Sequence, residues 1–109
     1  MSYIQQKLGK WNLWKVTNKE LLALLVGRRG GRTTIRIIDS LLNKPQNKNQ
    51  LATSLNLDYN TINFHISLMC DHDYVTSETL NRSKYYNLTE KFYKYIDEYN
   101  LIKECLKDE

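Results

Sequence analysis

Two helix-start signals stand eleven residues apart in this chain, at Asn47 and Asp58, and that spacing limits the fold more than any other feature. Asn47-Lys48-Asn49-Gln50 has the form of a capping box. In such a box the first and fourth side chains each satisfy a backbone amide left over at a helix start. Asp58 offers a second cap. A helix opened at Asn47 therefore has room for little more than two turns. Leu51, Ala52 and Leu55 give it an apolar side, and Asn56-Leu57 must turn the chain. The spacing predicts a short helix over about 48–55, a tight turn, and a second helix with Ile62, Ile66 and Met69 on its buried side.

After Asp73 the period changes from helical to alternating. Residues 74–79 read as a strand, Leu80-Asn81-Arg82-Ser83 as a turn, and 84–88 as the return strand. Thr89 then caps a last helix, read as one piece over about 89–107. Phe92, Ile96, Tyr99, Ile102 and Leu106 recur along it at spacings of three and four. Upstream, Thr17-Asn18-Lys19-Glu20 is another capping-box form. It opens a helix over about 18–27, which Gly27-Arg28-Arg29-Gly30-Gly31-Arg32 ends. Thr33 or Thr34 is expected to cap the next helix, with Ile35, Ile38, Leu41 and Leu42 on one side. Residues 1–16 read as a loose arm that becomes extended or irregular over 10–16.

Helix, helix, short helix, turn, helix, hairpin, helix is the order of a helix-turn-helix followed by a wing. The expected class is mainly α with a β-hairpin wing: a winged helix-turn-helix with extra N-terminal and C-terminal helices. At 109 residues, with 41% hydrophobic and 26% charged, the chain suits one soluble domain, taken as 17–109 behind the arm. The longest apolar run, 21–26, falls far short of the roughly 20 residues that span a bilayer. No secretory signal is visible at the N-terminus, so a cytoplasmic protein is expected. In that compartment Cys70 and Cys105 are expected to be free thiols.

Charge points to a partner. Up to residue 57 there are ten basic side chains against two acidic; beyond it there are six against ten. Such asymmetry suits nucleic acid or an anionic surface, although two oppositely charged halves of one fold would look the same. An α-helix fits the major groove of duplex DNA when its outer side carries short polar groups. With Ile62, Ile66 and Met69 turned inward, Asn60, Thr61, Asn63, Phe64 and Ser67 are left outward as candidate base contacts. Asparagine can pair with adenine, and threonine or phenylalanine can touch a thymine methyl. No Arg or Lys stands in this helix, so the expected site is rich in A·T. Candidate backbone contacts are Lys48, Tyr59, Arg82 and Lys84, with Arg28, Arg29, Arg32 and Arg36 as the densest basic group. A solvated polar surface is the plain alternative for each.

The stretch from Leu21 to Leu88 resembles winged helix-turn-helix regulators of the arsenical-resistance-repressor-like (ArsR-like) superfamily. Residues 49–57 followed by 59–66 are similar to that family's second and recognition helices. More narrowly, Gly27-Arg28-Arg29-Gly30-Gly31, Lys44-Pro45, Asn47-x-Asn49-Gln50-Leu51 and Asp58-Tyr59-x-Thr61-Ile62 resemble a group of small archaeal winged-helix proteins. The resemblance covers about two-thirds of the chain. It implies a DNA-binding homodimer joined through terminal helices. The expected seam is Phe92, Tyr95, Ile96, Tyr99, Ile102 and Leu106. Phe64 departs from the His or Arg usual just before the His65 position.

Other chemistries find little support. Cys70-Asp71-His72-Asp73 is the only cluster of possible metal ligands, and its members diverge on a helix, so neither a metal nor any other cofactor is expected. Cys70 reads as a small buried residue and His65 as a packing residue. No nucleophile motif or phosphate loop is present, and no enzyme is expected. With no effector site visible, control through protein level, a partner or a thiol redox change stays open. The main rival to DNA binding is a protein-interaction module using Phe64 or the tyrosine-rich end at Tyr93, Tyr95 and Tyr99. A third reading makes residues 3–16, with Trp11 and Trp14, a membrane-surface anchor, against which their mixed periodicity stands.

Overall fold

The first helix is capped by Asn18 rather than Thr17: the Asn18 side chain accepts a hydrogen bond from the Leu21 N–H at 3.0 Å. Helix α1 spans Lys19–Leu25 and buries Leu21, Leu22, Leu24 and Leu25. The computed structural model describes residues 13–107, apart from the side chains of Trp14 and Lys107. The readings made for Trp11 and for the arm before residue 13 lie outside those residues. Leu13–Lys15 is one 3-10 turn within the stretch read as extended or irregular.

Helix α2 spans Gly31–Asn43. It starts before both threonines expected to cap it, because Gly30 turns the chain with φ 92°. Thr34 is buried inside the helix, where its hydroxyl accepts from Arg28 at 2.6 Å. Gly31 has no room for a side chain: a Cβ there would lie 2.1 Å from the Leu25 carbonyl oxygen.

Where the sequence suggests one domain over 17–109, the described residues fall into two compact units. One combines 13–35 with 95–107, and the other is 36–94. In the first, Leu13, Val16, the leucines of α1, Ile35, Tyr99, Ile102 and Leu106 are buried. The Tyr99 hydroxyl donates to the Ile35 carbonyl at 3.2 Å, which satisfies a buried polar group.

The second unit holds the helix-turn-helix. Helix α3, Lys48–Leu55, opens on the expected capping box of Asn47 and Gln50. Asn56 closes it in the left-handed conformation, at φ 54°, and the Leu57 N–H reaches back to the Ala52 carbonyl. Asp58 caps helix α4, Tyr59–Asp71. Ile62, Ile66 and Met69 are at most 1% exposed. Each contributes about 1.5–3 kcal/mol by burial, far more than any exposed polar side chain, so this side fixes how α4 is rotated.

The hairpin follows: β1, Val75–Leu80, pairs antiparallel with β2, Ser83–Leu88, from Val75 opposite Leu88 to Leu80 opposite Ser83. Asn81 and Arg82 alone form the turn, with φ 50° and 70°. Both values are positive, as a type I′ hairpin turn requires. Gln46 is tied to β2 by a pair of backbone hydrogen bonds with Tyr86. Its buried side-chain amide donates to Ser40. Thr89 caps α5, Glu90–Lys94, as expected, by accepting from the Phe92 N–H. The last helix is not one piece, however. It breaks at Tyr95, and α6, Ile96–Lys107, begins anew. The architecture is a mainly helical winged helix-turn-helix with further helices at both ends. None of the described helices is long and apolar enough to cross a membrane.

Candidate nucleic-acid interface

Because α4 is rotated by its buried isoleucines, its outer side is fixed as well. Asn60, Asn63, Phe64 and Ser67 are exposed and recur at helical spacing, one continuous stripe. Thr61, at the edge of the stripe, is half-buried. All five expected base-contact residues thus keep surface, and Phe64 is 58% exposed despite its ring. Its ring packs edge-on against His65, with centroids 5.2 Å apart. His65 itself is buried, in line with its packing role.

Three elements of the second unit meet beside the stripe. The start of α3, the start of α4 and the first half of β2 line a cleft of about 330 Å³, with Asn47, Lys48, Asn49, Tyr59, Ser83, Lys84 and Tyr86 around it. None of the lining side chains is acidic. Lys48 is its central cation. Its Nζ donates to the Asn63 Oδ1 and lies 5.4 Å from the centroid of the Tyr86 ring. Lys84 stands on the wing and Arg82 at its tip, both exposed. Lys48, Tyr59 and Lys84, each read separately from the sequence, line this one cleft.

The sequence missed Asn49, Ser83 and Tyr86. A helix start and a strand register do not reveal that they adjoin. The only signal was Asn49 standing next to Lys48 in the first turn of the helix, where free amides favour anions.

The other arginines divide. Arg36 belongs to this unit, but its guanidinium donates to the Leu55 carbonyl at 2.7 Å, at the end of α3 opposite Lys48. It satisfies an orphan carbonyl there and is not a member of the cleft. Arg28 belongs to the first unit and is held by the Thr34 hydroxyl and the Arg29 carbonyl. Burial pulls its pKa below the usual arginine value. It stabilises the loop between α1 and α2. Arg29 and Arg32 are exposed in that same unit.

Most of the expected seam lies in the interior of the single chain. Phe92, Tyr99 and Ile102 are fully buried, and Leu106 is 6% exposed, within the single chain. Side chains without surface have none to offer a second copy. Only Tyr95 and Ile96, at the break between α5 and α6, keep part of theirs. Cys70 is half-buried and Cys105 buried. Among the described residues no group of three or more His, Cys, Asp or Glu side chains lies close enough to hold a metal ion.

No protein-family model and no curated relative matches the chain by sequence. Solved structures do match it in fold. A MarR transcriptional regulator from Methanosarcina mazei Go1 superposes with a TM-score of 0.62 at 21% identity. It is covered over 62% of its own length by 96% of this chain. The transcriptional regulator HlyU from Vibrio vulnificus CMCP6 gives 0.59 at 17% identity, over 85% of this chain and 91% of that one. A probable transcriptional regulator from Pseudomonas aeruginosa gives 0.65 at 15% identity, over 96% and 77%. The chain therefore shares the winged helix-turn-helix fold of these proteins while spanning less than two-thirds of the Methanosarcina regulator.

Proposed function

We propose that the protein is a transcription regulator that binds specific double-stranded DNA and catalyses no reaction. Helix α4 lies in the major groove, with Asn60, Thr61, Asn63, Phe64 and Ser67 towards the bases. The wing lies on the flanking backbone or minor groove. Lys48, Tyr59, Arg82 and Lys84 contact the backbone, joined by the exposed Arg29 and Arg32. One observation carries this reading: an exposed stripe on α4, polar except for Phe64, adjoins a cleft with two lysines and no acidic side chain. Phosphate contacts supply affinity and position, and base edges supply specificity. The regulators that share the fold support the reading, and so does the sequence resemblance to ArsR-like archaeal proteins. The reading includes a homodimer in the cytoplasm, with half-sites about 34 Å apart. Its seam excludes the four buried residues named above.

Fluorescence anisotropy on a labelled duplex from the protein's own upstream region tests this. Binding should survive competitor DNA and weaken as salt rises. Asn63→Ala should lose sequence preference, while Arg82→Ala should weaken all duplexes alike. The exposed Phe64 ring favours a second reading, a docking surface for another protein. That reading is supported if no duplex binds at low salt.

A further inference from the structure

Phe64 is the odd member of the α4 stripe. Its ring is 58% exposed, while the exposed residues beside it on the helix, Asn60, Asn63 and Ser67, are all polar. An amide or a hydroxyl can hydrogen-bond a base edge. A phenyl ring has no ordinary donor or acceptor, so it gains chiefly by covering an apolar group.

The surroundings limit what that group is. One ring amid amides and a hydroxyl is a small apolar spot, whereas the core of a protein interface is a broad one. The adjoining cleft holds Lys48 and Lys84 and no acidic side chain, which suits a polyanion. The ring is also held in place. It packs edge-on against the buried His65, and the buried Ile62 and Ile66 on the opposite side of α4 fix where on the helix surface it stands. In the major groove of a duplex the base edges offer hydrogen-bonding groups and a single kind of alkyl group, the methyl on C5 of thymine.

We infer that Phe64 reads a pyrimidine 5-methyl group, so that DNA binding responds to cytosine methylation at that position. Thymine and 5-methylcytosine carry the methyl on the same ring carbon. They differ at C4, where thymine has an acceptor oxygen and cytosine a donor amino group. A ring without ordinary hydrogen-bonding groups does not tell these apart. Phe64 therefore treats the two methylated bases alike and discriminates against uracil and plain cytosine, while the polar residues beside it read the rest of the site. The inference rests on the DNA-binding reading and makes Phe64 a specificity-determining residue within it.

Selection from a random duplex pool with the full-length wild type first gives a preferred site. Synthetic copies of that duplex then carry uracil in place of each thymine in turn. At the thymine that responds, further copies carry cytosine or 5-methylcytosine opposite guanine. By fluorescence anisotropy, uracil at one thymine should weaken wild-type binding about fourfold, the effect of uncovering one methyl-sized group. At the same position 5-methylcytosine should bind about fourfold better than cytosine. Both ratios should fall to about one for Phe64→Ala and Phe64→Asn and persist for Phe64→Leu, with circular dichroism confirming that each variant is folded. Any effect of the methyl on duplex shape is common to all the proteins and cancels in this comparison. If uracil replaces every thymine without loss, or if the ratios survive Phe64→Ala, the inference falls while the regulator reading stands. If the wild type enriches no sequence, the regulator reading falls, and the inference with it.

Discussion

Glu98 holds the N-cap residue of a helix eighty residues earlier in the chain. The sequence offers Thr17-x-x-Glu20 as a self-contained box, yet Asn18 caps α1 and the Thr17 and Asn18 amides just before the helix are met from α6. Glu98 Oε1 accepts from the Thr17 and Asn18 N–H groups at 2.7 and 2.9 Å, and Oε2 from the Thr17 hydroxyl at 2.6 Å. Burial by itself would raise the Glu98 pKa. The bonds from Asn18 and Thr17, with the Lys19 charge, outweigh it and hold the carboxyl below its ordinary value of 4.5. A depressed carboxyl stabilises the fold above its unfolded pKa, and that contribution is lost as pH falls through the folded value. Thermal unfolding followed from pH 7 to about pH 3 should therefore show a steeper acid loss for wild type than for Glu98→Gln. Parallel curves would show that Glu98 contributes nothing through its charge. Cys70 is shifted the other way. Burial pushes its thiol up, Asp71 adds to this, and Lys48 and Lys84 only partly oppose it. Since the thiolate is the reactive form, Cys70 should react with iodoacetamide more slowly than free cysteine at neutral pH. Labelling at the rate of the free amino acid would revive a thiol redox switch.

At the scale of elements, the wing turn sets stability against binding. A type I′ turn favours asparagine followed by glycine, because both central residues have positive φ. Here the second position is Arg82, at φ 70°. A side chain in the left-handed region costs about 1–2 kcal/mol, and strain of this kind gathers at functional sites. Arg82→Gly should therefore raise the unfolding midpoint by several degrees and weaken binding to all duplexes alike. A variant that is more stable and binds as well as wild type would leave Arg82 without a role. The turn itself was legible, as were the caps at Asn47 and Asp58 and the buried side of α4, because each is written within a few neighbouring residues. The break at Tyr95 was not. Phe92, Ile96 and Tyr99 keep spacings of four and three across it, so periodicity gives no sign. Yet Phe92 is buried in the unit 36–94 and Tyr99 in the other. The start of α2 was hidden for a similar reason. Gly31 is required by the Leu25 carbonyl against it, not by any local pattern. For the candidate site, helical spacing gave the outer stripe of α4. The junction of Lys48, Asn63 and Tyr86 joins three elements and has no local signature.

The whole molecule carries a net charge of +4, but the basic side chains differ in what they can offer a duplex. Counted from the sequence, the arginines at 28, 29, 32 and 36 form one group. In the structure Arg28 is held by Thr34 and the Arg29 carbonyl, and Arg36 by the Leu55 carbonyl. Binding equilibria can tell which of the cations neutralise phosphate. The affinity of a protein for B-DNA falls with salt at a slope of about −0.9 for each phosphate neutralised. Lys48, Arg82, Lys84, Arg29 and Arg32 would give a slope of about −4.5 per bound protomer on a logarithmic plot. Replacing Arg29 or Arg32 by glutamine should each make the slope shallower by about 0.9, as should Lys84→Gln. Arg28→Gln and Arg36→Gln should leave it unchanged and lower the unfolding midpoint instead, because their loss frees a loop and a helix end. If the slope responds to Arg36→Gln as it does to Lys84→Gln, the guanidinium leaves Leu55 for phosphate when DNA binds. If it responds to neither Arg29→Gln nor Arg32→Gln, the backbone contacts reduce to Lys48, Arg82 and Lys84. The remaining positive charge then acts at a distance, by raising the rate of encounter with DNA at low salt.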